Sequence, residues 1–251
     1  MRKWTLLLLL PLLLSCKNYD TKIVKSYEIN KKGFEPSGVT FLNDTFYIIS
    51  DDGRIALIHN KRIKYKKIEK GKDFEGITND GKNLYAVIEG EDSIVKLGKK
   101  YKIKQKYKIN RKFNSKTVLD KRGDGLEAVT FLYEDEKGKH FIVANQSNKT
   151  KGKDKSALLF IVIKGKKAVT YRYLPMKILD ISGLYYDQKN DLLYLLSDND
   201  DLIYIYQLSK FKLLNKIAIQ GEGQEGIALL KDRIFISDDS GKFFELRYKK
   251  K

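Results

Sequence analysis

Short runs of alternating apolar and polar residues, rich in β-branched and aromatic side chains, follow one another through most of the chain. In the clearest set, turn residues separate runs at 183–186, 191–198, 202–208 and 215–219. This pattern predicts four short antiparallel strands, which we name A to D in chain order. The same pattern occurs earlier, at residues 39–41, 46–50, 54–58 and 62–65. Because no stretch of about 12 residues shows the apolar spacing of an amphipathic helix, we expect an all-β fold.

A short motif leads into strand A in each of five copies of this pattern. The copies are Glu35-Pro-Ser-Gly38, Asp73-Phe-Glu-Gly76, Gly125-Leu-Glu-Ala128, Asp180-Ile-Ser-Gly183 and Gly223-Gln-Glu-Gly226. Their last residues lie 38, 52, 55 and 43 positions apart, which is the period expected for four-stranded propeller blades. The sequence therefore predicts a five-bladed β-propeller. A β-sandwich is the alternative, and the recurrence of one motif at the same place in five near-equal units argues against it.

The fifth copy has no run that corresponds to strand D. Its predicted strands A, B and C cover residues 227–230, 233–237 and 243–248. Residues 22–29 alternate in the same way, but they precede the first motif and follow no A, B or C run. We expect this segment to pair with strand C of the fifth blade, because a closed ring leaves no strand edge open to aggregation.

The first residues have the features of an export signal. Residues 1–3 are Met-Arg-Lys, residues 4–14 are apolar, and Ser15 precedes Cys16. As a helix at about 1.5 Å per residue, the apolar run reaches about 16 Å, which is half a bilayer core. The small residue before a cysteine resembles the lipobox of bacterial lipoproteins, in which Cys16 becomes the lipidated first residue; an ordinary cleavage site is the alternative.

These features give a predicted organisation and location. Residues 1–16 form a signal peptide and residues 17–251 form one propeller domain. The protein is then a lipoprotein of the cell envelope, anchored to a membrane in the periplasm or at the outer membrane. Cys16 is the sole cysteine, so no intrachain disulfide is expected.

The chain is strongly basic, with a formal net charge of +18 that arises from 42 Lys and 8 Arg against 32 acidic residues. Nucleic-acid sites favour Arg and clustered basic stripes, whereas these lysines are scattered through almost every segment. We therefore expect no nucleic-acid partner and interpret the lysines as a solubilising surface. Such a surface also favours contact with anionic lipid or polysaccharide.

Acidic residues concentrate in the loops before strand A and between strands B and C. In a propeller these loops lie on the same face. The loops before strand A carry Glu35, Asp73, Glu75, Glu127, Asp180 and Glu225. The B–C loops carry Asp51, Asp52, Glu89, Glu91, Asp92, Asp198, Asp200, Asp201, Asp238 and Asp239. We therefore expect the carboxylates of distant segments to converge at one end of the propeller axis.

Converging carboxylates require compensation. Two of them about 5 Å apart repel by roughly 3 kcal/mol at an effective dielectric near 20, so protons, lysines or a metal must balance the charge. Calcium suits such oxygen-rich loops, whereas zinc does not, since only His59, His140 and Cys16 offer the ligands it prefers. A purely structural role is the alternative, because Ser37 and Ser182 occupy the motif position of the glutamates and can bond the neighbouring loop backbone.

The third copy departs from this pattern. Its B–C loop, residues 145–155, is longer than the others, rich in amides and then basic. We expect the acidic ring to be interrupted there. The loop is either a contact for an anionic partner or a plain surface loop.

The repeated motifs resemble those of the bacterial SdiA-regulated family. The likeness rests on Glu-Pro-Ser-Gly-Val-Thr, Phe-Glu-Gly-Ile-Thr, Leu-Glu-Ala-Val-Thr, Ile-Ser-Gly-Leu-Tyr-Tyr-Asp and Gln-Glu-Gly-Ile-Ala, and it covers roughly residues 22–248. The resemblance implies a five-bladed propeller distantly similar to NHL-repeat propellers, with a calcium site and no settled biochemical activity. By this resemblance, the metal-site positions are Glu35, Glu75, Glu127 and Glu225.

Three functions follow from these observations. The leading hypothesis is a monomeric, lipid-anchored, non-catalytic propeller that binds calcium on its acidic face and holds a protein or glycan partner there. It fits the absence of a Gly-x-Ser-x-Gly motif and the position of both histidines in predicted strands. The alternative is a calcium-dependent, phytase-like or esterase-like hydrolase, with Lys72 and Arg122 as candidate phosphate contacts. A structural scaffold without a ligand is the third possibility.

Overall fold

The computed structural model describes residues 21–29, 32–119, 125–145, 156–221 and 223–248. The described residues form five four-stranded antiparallel sheets and one short hairpin. Residues 1–20, which contain the predicted signal peptide and Cys16, lie outside this part of the chain. Arg122 and residues 146–155 of the third B–C loop also lie outside it, so the hypotheses on these segments stay predictions.

Each four-stranded sheet is one blade, and in four of the five the strands follow chain order from the inside to the outside. A first strand, β1 (Thr21–Glu28), precedes the first blade. Blade 1 contains β2 (Pro36–Leu42), β3 (Thr45–Ser50), β4 (Arg54–His59) and β5 (Arg62–Lys67). Blade 2 contains β6 (Phe74–Asn79), β7 (Leu84–Ile88), β8 (Ser93–Leu97) and β9 (Ile103–Lys108).

The chain then forms a hairpin and three further blades. The hairpin pairs β10 (Lys112–Phe113) with β11 (Lys116–Thr117). Blade 3 contains β12 (Leu126–Asp135), β13 (Gly138–Asn145), β14 (Ala157–Lys164) and β15 (Lys167–Pro175). Blade 4 contains β16 (Ile181–Asp187), β17 (Leu192–Ser197), β18 (Leu202–Gln207) and β19 (Lys212–Ala218). Blade 5 contains β20 (Gln224–Leu230), β21 (Arg233–Asp238), β22 (Lys242–Tyr248) and β1.

The five inner strands surround a common axis. Each packs against the inner strands on either side, in the order β2, β6, β12, β16, β20 and back to β2. Among the described residues the only helical segments are two 3₁₀ turns, Glu89–Glu91 and Lys99–Tyr101. The predicted five-bladed β-propeller is therefore confirmed. The described residues contain no helix of the length and apolar character needed to cross a membrane.

Strand β1 closes the ring from the N-terminal side. It pairs antiparallel with β22, from Thr21 opposite Tyr248 to Glu28 opposite Lys242. The Tyr27 ring lies 5.8 Å from the Phe243 ring, which adds an aromatic contact to the pairing. The predicted pairing of residues 22–29 with the last C strand is therefore confirmed.

Apolar side chains fill the spaces between neighbouring blades. The described residues contain five buried clusters, one at each boundary between adjacent blades. At the boundary of blades 2 and 3, for example, the ring centroids of Tyr85 and Phe141 lie 5.0 Å apart. Full burial of such a side chain contributes about 1.5–3 kcal/mol, so packing at these boundaries stabilises the ring. The outer strands alternate between exposed lysines and half-buried residues, as in β5 and β9.

The small residue that ends each motif closes the axis. These residues are Gly38, Gly76, Ala128, Gly183 and Gly226, and they line an axial space of only about 10 Å³. A Cβ atom on Gly76 would lie 2.7 Å from the Val129 nitrogen and 2.8 Å from the Ala128 Cα atom. At most about one water fits such a space, so the two ends of the axis are separate cavities.

Candidate functional site

The five motifs lie inside the inner strands, and this corrects one sequence expectation. We expected strand A to begin after the motif, but each inner strand begins at the second motif residue. All five pairings with strand B change register within the motif, between Pro36 and Val39, Phe74 and Ile77, Leu126 and Ala128, Ile181 and Gly183, and Gln224 and Gly226. Such an irregularity bends a strand and redirects its side chains.

The third residue of the motif is the one that the irregularity directs toward the axis or the next blade. Glu75, Glu127 and Glu225 line a cavity at one end of the axis, together with Ser37. Ser182 instead donates a hydrogen bond to the backbone oxygen of Gln224 in blade 5, at 2.6 Å. The third motif position therefore either lines the cavity or bonds the next blade. Ser182 bonds the backbone of the neighbouring blade, which is the structural role expected for it.

We call this cavity the acidic mouth. It measures about 290 Å³ and is lined by Glu35, Ser37, Asp51, Glu75, Glu89, Glu127, Glu225 and Asp239. Seven of these eight described residues are carboxylates, and none is basic. The four residues predicted to bind metal, Glu35, Glu75, Glu127 and Glu225, therefore meet in one cavity, and their role as ligands stays a prediction.

Three glutamates at the base of the acidic mouth resist ionisation. Burial raises the pKa of Glu75 well above its usual range, and the charge of Glu127 raises it further. Glu127 is only 7% exposed, and burial followed by the charges of Glu89 and Glu225 raises its pKa in the same direction. Burial and then the charge of Asp198 raise the pKa of Glu225 to about 8. Without a cation, Glu225 therefore retains its proton at neutral pH, and the same causes favour the protonated forms of Glu75 and Glu127.

Two carboxyls at the rim of the mouth, those of Asp51 and Asp239, also have raised pKa values. Burial and the neighbouring Glu35 raise the pKa of Asp51 to about 6. Burial also raises the pKa of Asp239, with further contributions from the charges of Asp238 and Asp198. With a pKa of about 6, Asp51 is largely ionised near neutral pH, whereas Glu225 at the base, with a pKa of about 8, is not.

Basic residues near this face pair with acids outside the cavity. Lys72 and Lys106 both form ion pairs with Glu91, and Arg111 pairs with Asp92. Lys72, a candidate phosphate contact, is thus a partner of Glu91 in the structure. The basic side chains of these pairs do not line the mouth, so the cavity keeps its negative character.

Three carboxylates are arranged as one cation would need them. Oxygen atoms of Asp73, Glu75 and Glu89 all lie within 4.8 Å of one another. Ligands on opposite sides of one Ca²⁺ ion, at about 2.3–2.6 Å each, are separated by a similar distance. The donor set therefore fits calcium. Of the three, only Glu75 was among the predicted ligands, although Asp73 opens the second motif as the predicted ligand Glu35 opens the first.

Acids of this face also hold the loops in place. The backbone nitrogen of Gly125 donates to Glu89 Oε1 at 3.2 Å, which joins blade 3 to blade 2. The backbone nitrogen of Gln224 donates to Asp198 Oδ1 at 2.9 Å, which joins blade 5 to blade 4. These carboxylates shape the mouth as well as charge it.

Buried serines at the ends of the B strands were not identified from the sequence as part of the site. The Ser50 hydroxyl accepts a hydrogen bond from the Glu35 nitrogen at 3.2 Å, and the Ser197 hydroxyl donates to the Leu179 oxygen at 2.7 Å. Both serines are fully buried. The repeated Ser-Asp at the end of strand B was the available signal, because a polar pair closing an apolar strand needs a nearby partner.

Both histidines lie away from the mouth. His59 ends β4, and its Nδ1 atom lies 2.9 Å from the Asp44 backbone oxygen. His140 is buried within β13, where its two ring nitrogens contact the Asp135 carboxylate at 3.0 Å and the Tyr171 hydroxyl at 3.2 Å. Neither imidazole is placed to act on a group bound at the axis.

Comparison with known proteins identifies the family. The family model described as SdiA-regulated matches residues 61–227, about two thirds of the chain. The chain belongs to the SdiA-regulated family. This confirms the membership that the motifs predicted. A comparison with curated protein sequences found no match to this SdiA-regulated propeller.

Solved structures of other proteins resemble this SdiA-regulated propeller in fold. Glutaminyl cyclase from Myxococcus xanthus is 14% identical with a TM-score of 0.65, and the match covers 90% of this chain and 95% of that one. The β-propeller domain of Cps50 (Swd1) from Myceliophteria thermophila is 10% identical with a TM-score of 0.48, covering 86% and 64%. A catalytically inactive variant of virginiamycin B lyase from Staphylococcus aureus with quinupristin is 15% identical with a TM-score of 0.46, covering 85% and 66%. At these identities the likeness concerns the fold alone.

Proposed function

We propose that this SdiA-regulated propeller binds calcium in its acidic mouth and serves there as a binding module for a protein or glycan partner. The observation that carries the proposal is the lining of the mouth, in which seven of eight described residues are carboxylates in a protein of net charge +18. Burial and mutual repulsion oppose the ionised forms of these carboxyls, and a bound cation can offset that cost by taking the place of their protons.

The residues that would hold the ion are Asp73, Glu75 and Glu89, with Glu127 and Glu225 beside them at the base. A bound Ca²⁺ ion supplies positive charge that permits these carboxyls to ionise together. Asp73 is exposed and the other two are half-buried, so a partner can approach this set from solvent. Oxygen atoms of a glycan hydroxyl or a protein carboxylate are the chemistry that such an ion accepts.

The location in the cell envelope is part of the same proposal. Support comes from the basic start, the short apolar run and the Ser15-Cys16 pair. Thr21, the first residue of β1, follows Cys16 by five positions, which span at most about 18 Å of extended chain. A lipid on Cys16 would therefore hold the outer edge of blade 5 close to the membrane.

A second candidate is an enzyme that uses the buried glutamates as general acids or bases. The specific observation is the pKa of Glu225, raised to about 8, together with those of Glu75 and Glu127. A carboxyl that titrates near neutral pH is suited to proton transfer. The fold similarity to a protein named glutaminyl cyclase makes peptides with an N-terminal glutamine the first substrates to assay. Phosphate esters and carboxylate esters test the calcium-dependent hydrolase.

Calorimetric titration with Ca²⁺ tests the leading proposal. The protein without residues 1–16 is titrated alongside Glu75→Gln and Glu136→Gln; Glu136 lies in the exposed turn between β12 and β13. We expect one calcium site in the parent and in Glu136→Gln, and affinity lower by about tenfold or more in Glu75→Gln. Equal calcium affinity in all three proteins would contradict a calcium site that includes Glu75. Turnover of any assayed substrate, abolished by Glu225→Gln, would favour the enzyme.

A further inference from the structure

A second large cavity lies between the outer parts of blades 1 and 2. It measures about 680 Å³, within the usual range for sites that bind small molecules. It is built at the A–B and C–D turns, at the strand ends opposite those that carry the acidic loops. Its described lining contains five lysines and no carboxylate: Lys82, Lys96, Lys99, Lys102 and Lys104. We call it the lysine groove.

The turn after β8 gives the groove its shape. Gly98 is extended, and its nitrogen donates to the Lys102 oxygen at 2.8 Å, which closes the turn around Lys99–Tyr101. Lys100 and Tyr101 adopt left-handed backbone conformations with φ of 59° and 62°. Such conformations are uncommon for residues other than glycine, so the surrounding contacts hold this turn in place.

An aromatic pair forms part of the groove wall across the boundary of the two blades. The ring of Tyr101 in blade 2 lies 6.1 Å from the ring of Tyr47 in blade 1. Leu42 and Ile103 line the cavity beside them. The wall thus offers an apolar and aromatic surface next to the ammonium groups, and each tyrosine also carries a hydroxyl for hydrogen bonding.

The positive charge of the groove is not neutralised by nearby acids in the described part of the chain. No ion pair links Lys82, Lys99 or Lys104 to a carboxylate there. Asp80 is close in sequence, but it pairs with Lys139 at 3.0 Å. Lys102 donates to the Ile68 backbone oxygen at 2.9 Å. Several ammonium groups around one cavity repel one another, so an anion bound there would relieve that repulsion.

We propose that the lysine groove binds a sugar that carries several phosphate or sulfate groups. Lysine ammonium groups bind phosphate oxygens through charge-assisted hydrogen bonds, and they accept tetrahedral anions without a fixed geometry. The Tyr47 and Tyr101 rings give a sugar ring an apolar surface to pack on. The groove and the acidic mouth bind ligands of opposite charge, so this inference does not depend on the calcium site.

The test uses inositol hexakisphosphate and sucrose octasulfate as probes, with myo-inositol as the uncharged control. Binding is measured by calorimetry on the protein without residues 1–16, in EDTA, so that calcium at the mouth contributes nothing. A second arm measures co-sedimentation with phosphatidylcholine vesicles that contain lipid A, whose headgroup is a bisphosphorylated disaccharide. The first arm reports on free phosphorylated or sulfated sugars, and the second on the same chemistry in a lipid headgroup.

A matched pair of double variants separates a site from general attraction. Lys82 lies in the A–B turn and Lys99 in the C–D turn of blade 2, and Lys189 and Lys210 occupy the same turns of blade 4. All four lysines are exposed, and each double change to Gln lowers the net charge by the same amount. We expect K82Q/K99Q to weaken binding of the charged probes by about tenfold and K189Q/K210Q by less than about twofold.

Two results would overturn the inference. Equal weakening by both double variants would show that the probes follow the overall positive charge. Absence of binding by every charged probe to the parent protein would show that the groove is not an anion site. Neither result bears on calcium binding, which is measured separately on the acidic mouth.

Discussion

The Ser237 hydroxyl donates a hydrogen bond to the backbone oxygen of Ser37 at 3.0 Å, across 200 positions of the chain. Both residues are buried near the axis, where blade 5 meets blade 1. The pairing of β1 with β22 joins the same two ends of the ring at its outer edge. The ring is therefore closed twice, by a side-chain bond at the inside and by a strand at the circumference.

The first prediction concerns the outer closure. Removing Thr21–Glu28 should lower the melting temperature strongly, because β22 loses its partner and Phe243 loses its contact with Tyr27. Removing residues 249–251, which lie outside the described part of the chain, should change it little. Thermal unfolding followed by circular dichroism compares the two truncations in the protein without residues 1–16. If they melt at the same temperature, β1 does not stabilise the ring.

The second prediction concerns the axis. Gly76→Ala should destabilise the protein by about 1–3 kcal/mol, because its Cβ atom would meet the backbone of Ala128 and Val129. Gly90→Ala is the control, since an added Cβ there meets nothing within 4 Å, and its effect should stay below about 0.5 kcal/mol. Urea unfolding gives both values. A silent Gly76→Ala would mean that the inner strands can move apart.

The strands and the ring could be predicted from the sequence because their causes are local. Alternation of apolar and polar residues fixes which face of a strand is buried, and a motif repeated at blade period fixes the order of the blades. Strand ends were harder to predict. The outer strand of blade 4 begins at Lys212 instead of residue 215, because Gln207 pairs with Lys212 across the turn.

The sequence predicted which residues surround the site, but not how their side chains are arranged in it. Propeller geometry placed Glu75, Glu127 and Glu225 at one end of the axis, and the structure brings them to one cavity. Which carboxylates lie close together depends on side-chain directions that follow from the register change in each motif, so Asp73 and Glu89 were not separated from the other acids. The lysine groove depends on a left-handed turn at Lys100 and Tyr101. Neither lysine nor tyrosine favours that backbone conformation, so the sequence did not predict the turn.

The third prediction concerns pH and stability without calcium. The folded protein keeps a proton on Glu225 up to a pKa of about 8, whereas the unfolded chain releases it near the usual value of 4.5. Between these values the unfolded state binds fewer protons, so the free energy of unfolding should fall as the pH rises. At about 1.4 kcal/mol per pKa unit, Glu225 alone should account for a fall of a few kcal/mol, and Glu75 and Glu127 should add to it in the same direction.

Urea unfolding in EDTA at about pH 5 and about pH 8 measures this effect. Glu225→Gln removes one titrating group, so its stability should differ less between the two pH values than that of the parent. Glu136→Gln, in the exposed turn on the other side of the propeller, should keep the parent's dependence. A parent protein that is more stable at the higher pH would contradict the raised pKa values.

The fourth prediction is that calcium binding releases protons from the carboxyls of the acidic mouth. If Ca²⁺ binds in the acidic mouth, it must displace protons from Glu75 and its neighbours, so binding should release protons and strengthen as the pH rises from about 6 to about 8. Titrations in buffers with different ionisation enthalpies count the protons released. Glu127→Gln should release fewer, because this buried carboxyl holds its proton well above the usual range. Calcium binding with no proton release would place the ion outside the buried base of the mouth, at exposed acids such as Asp73.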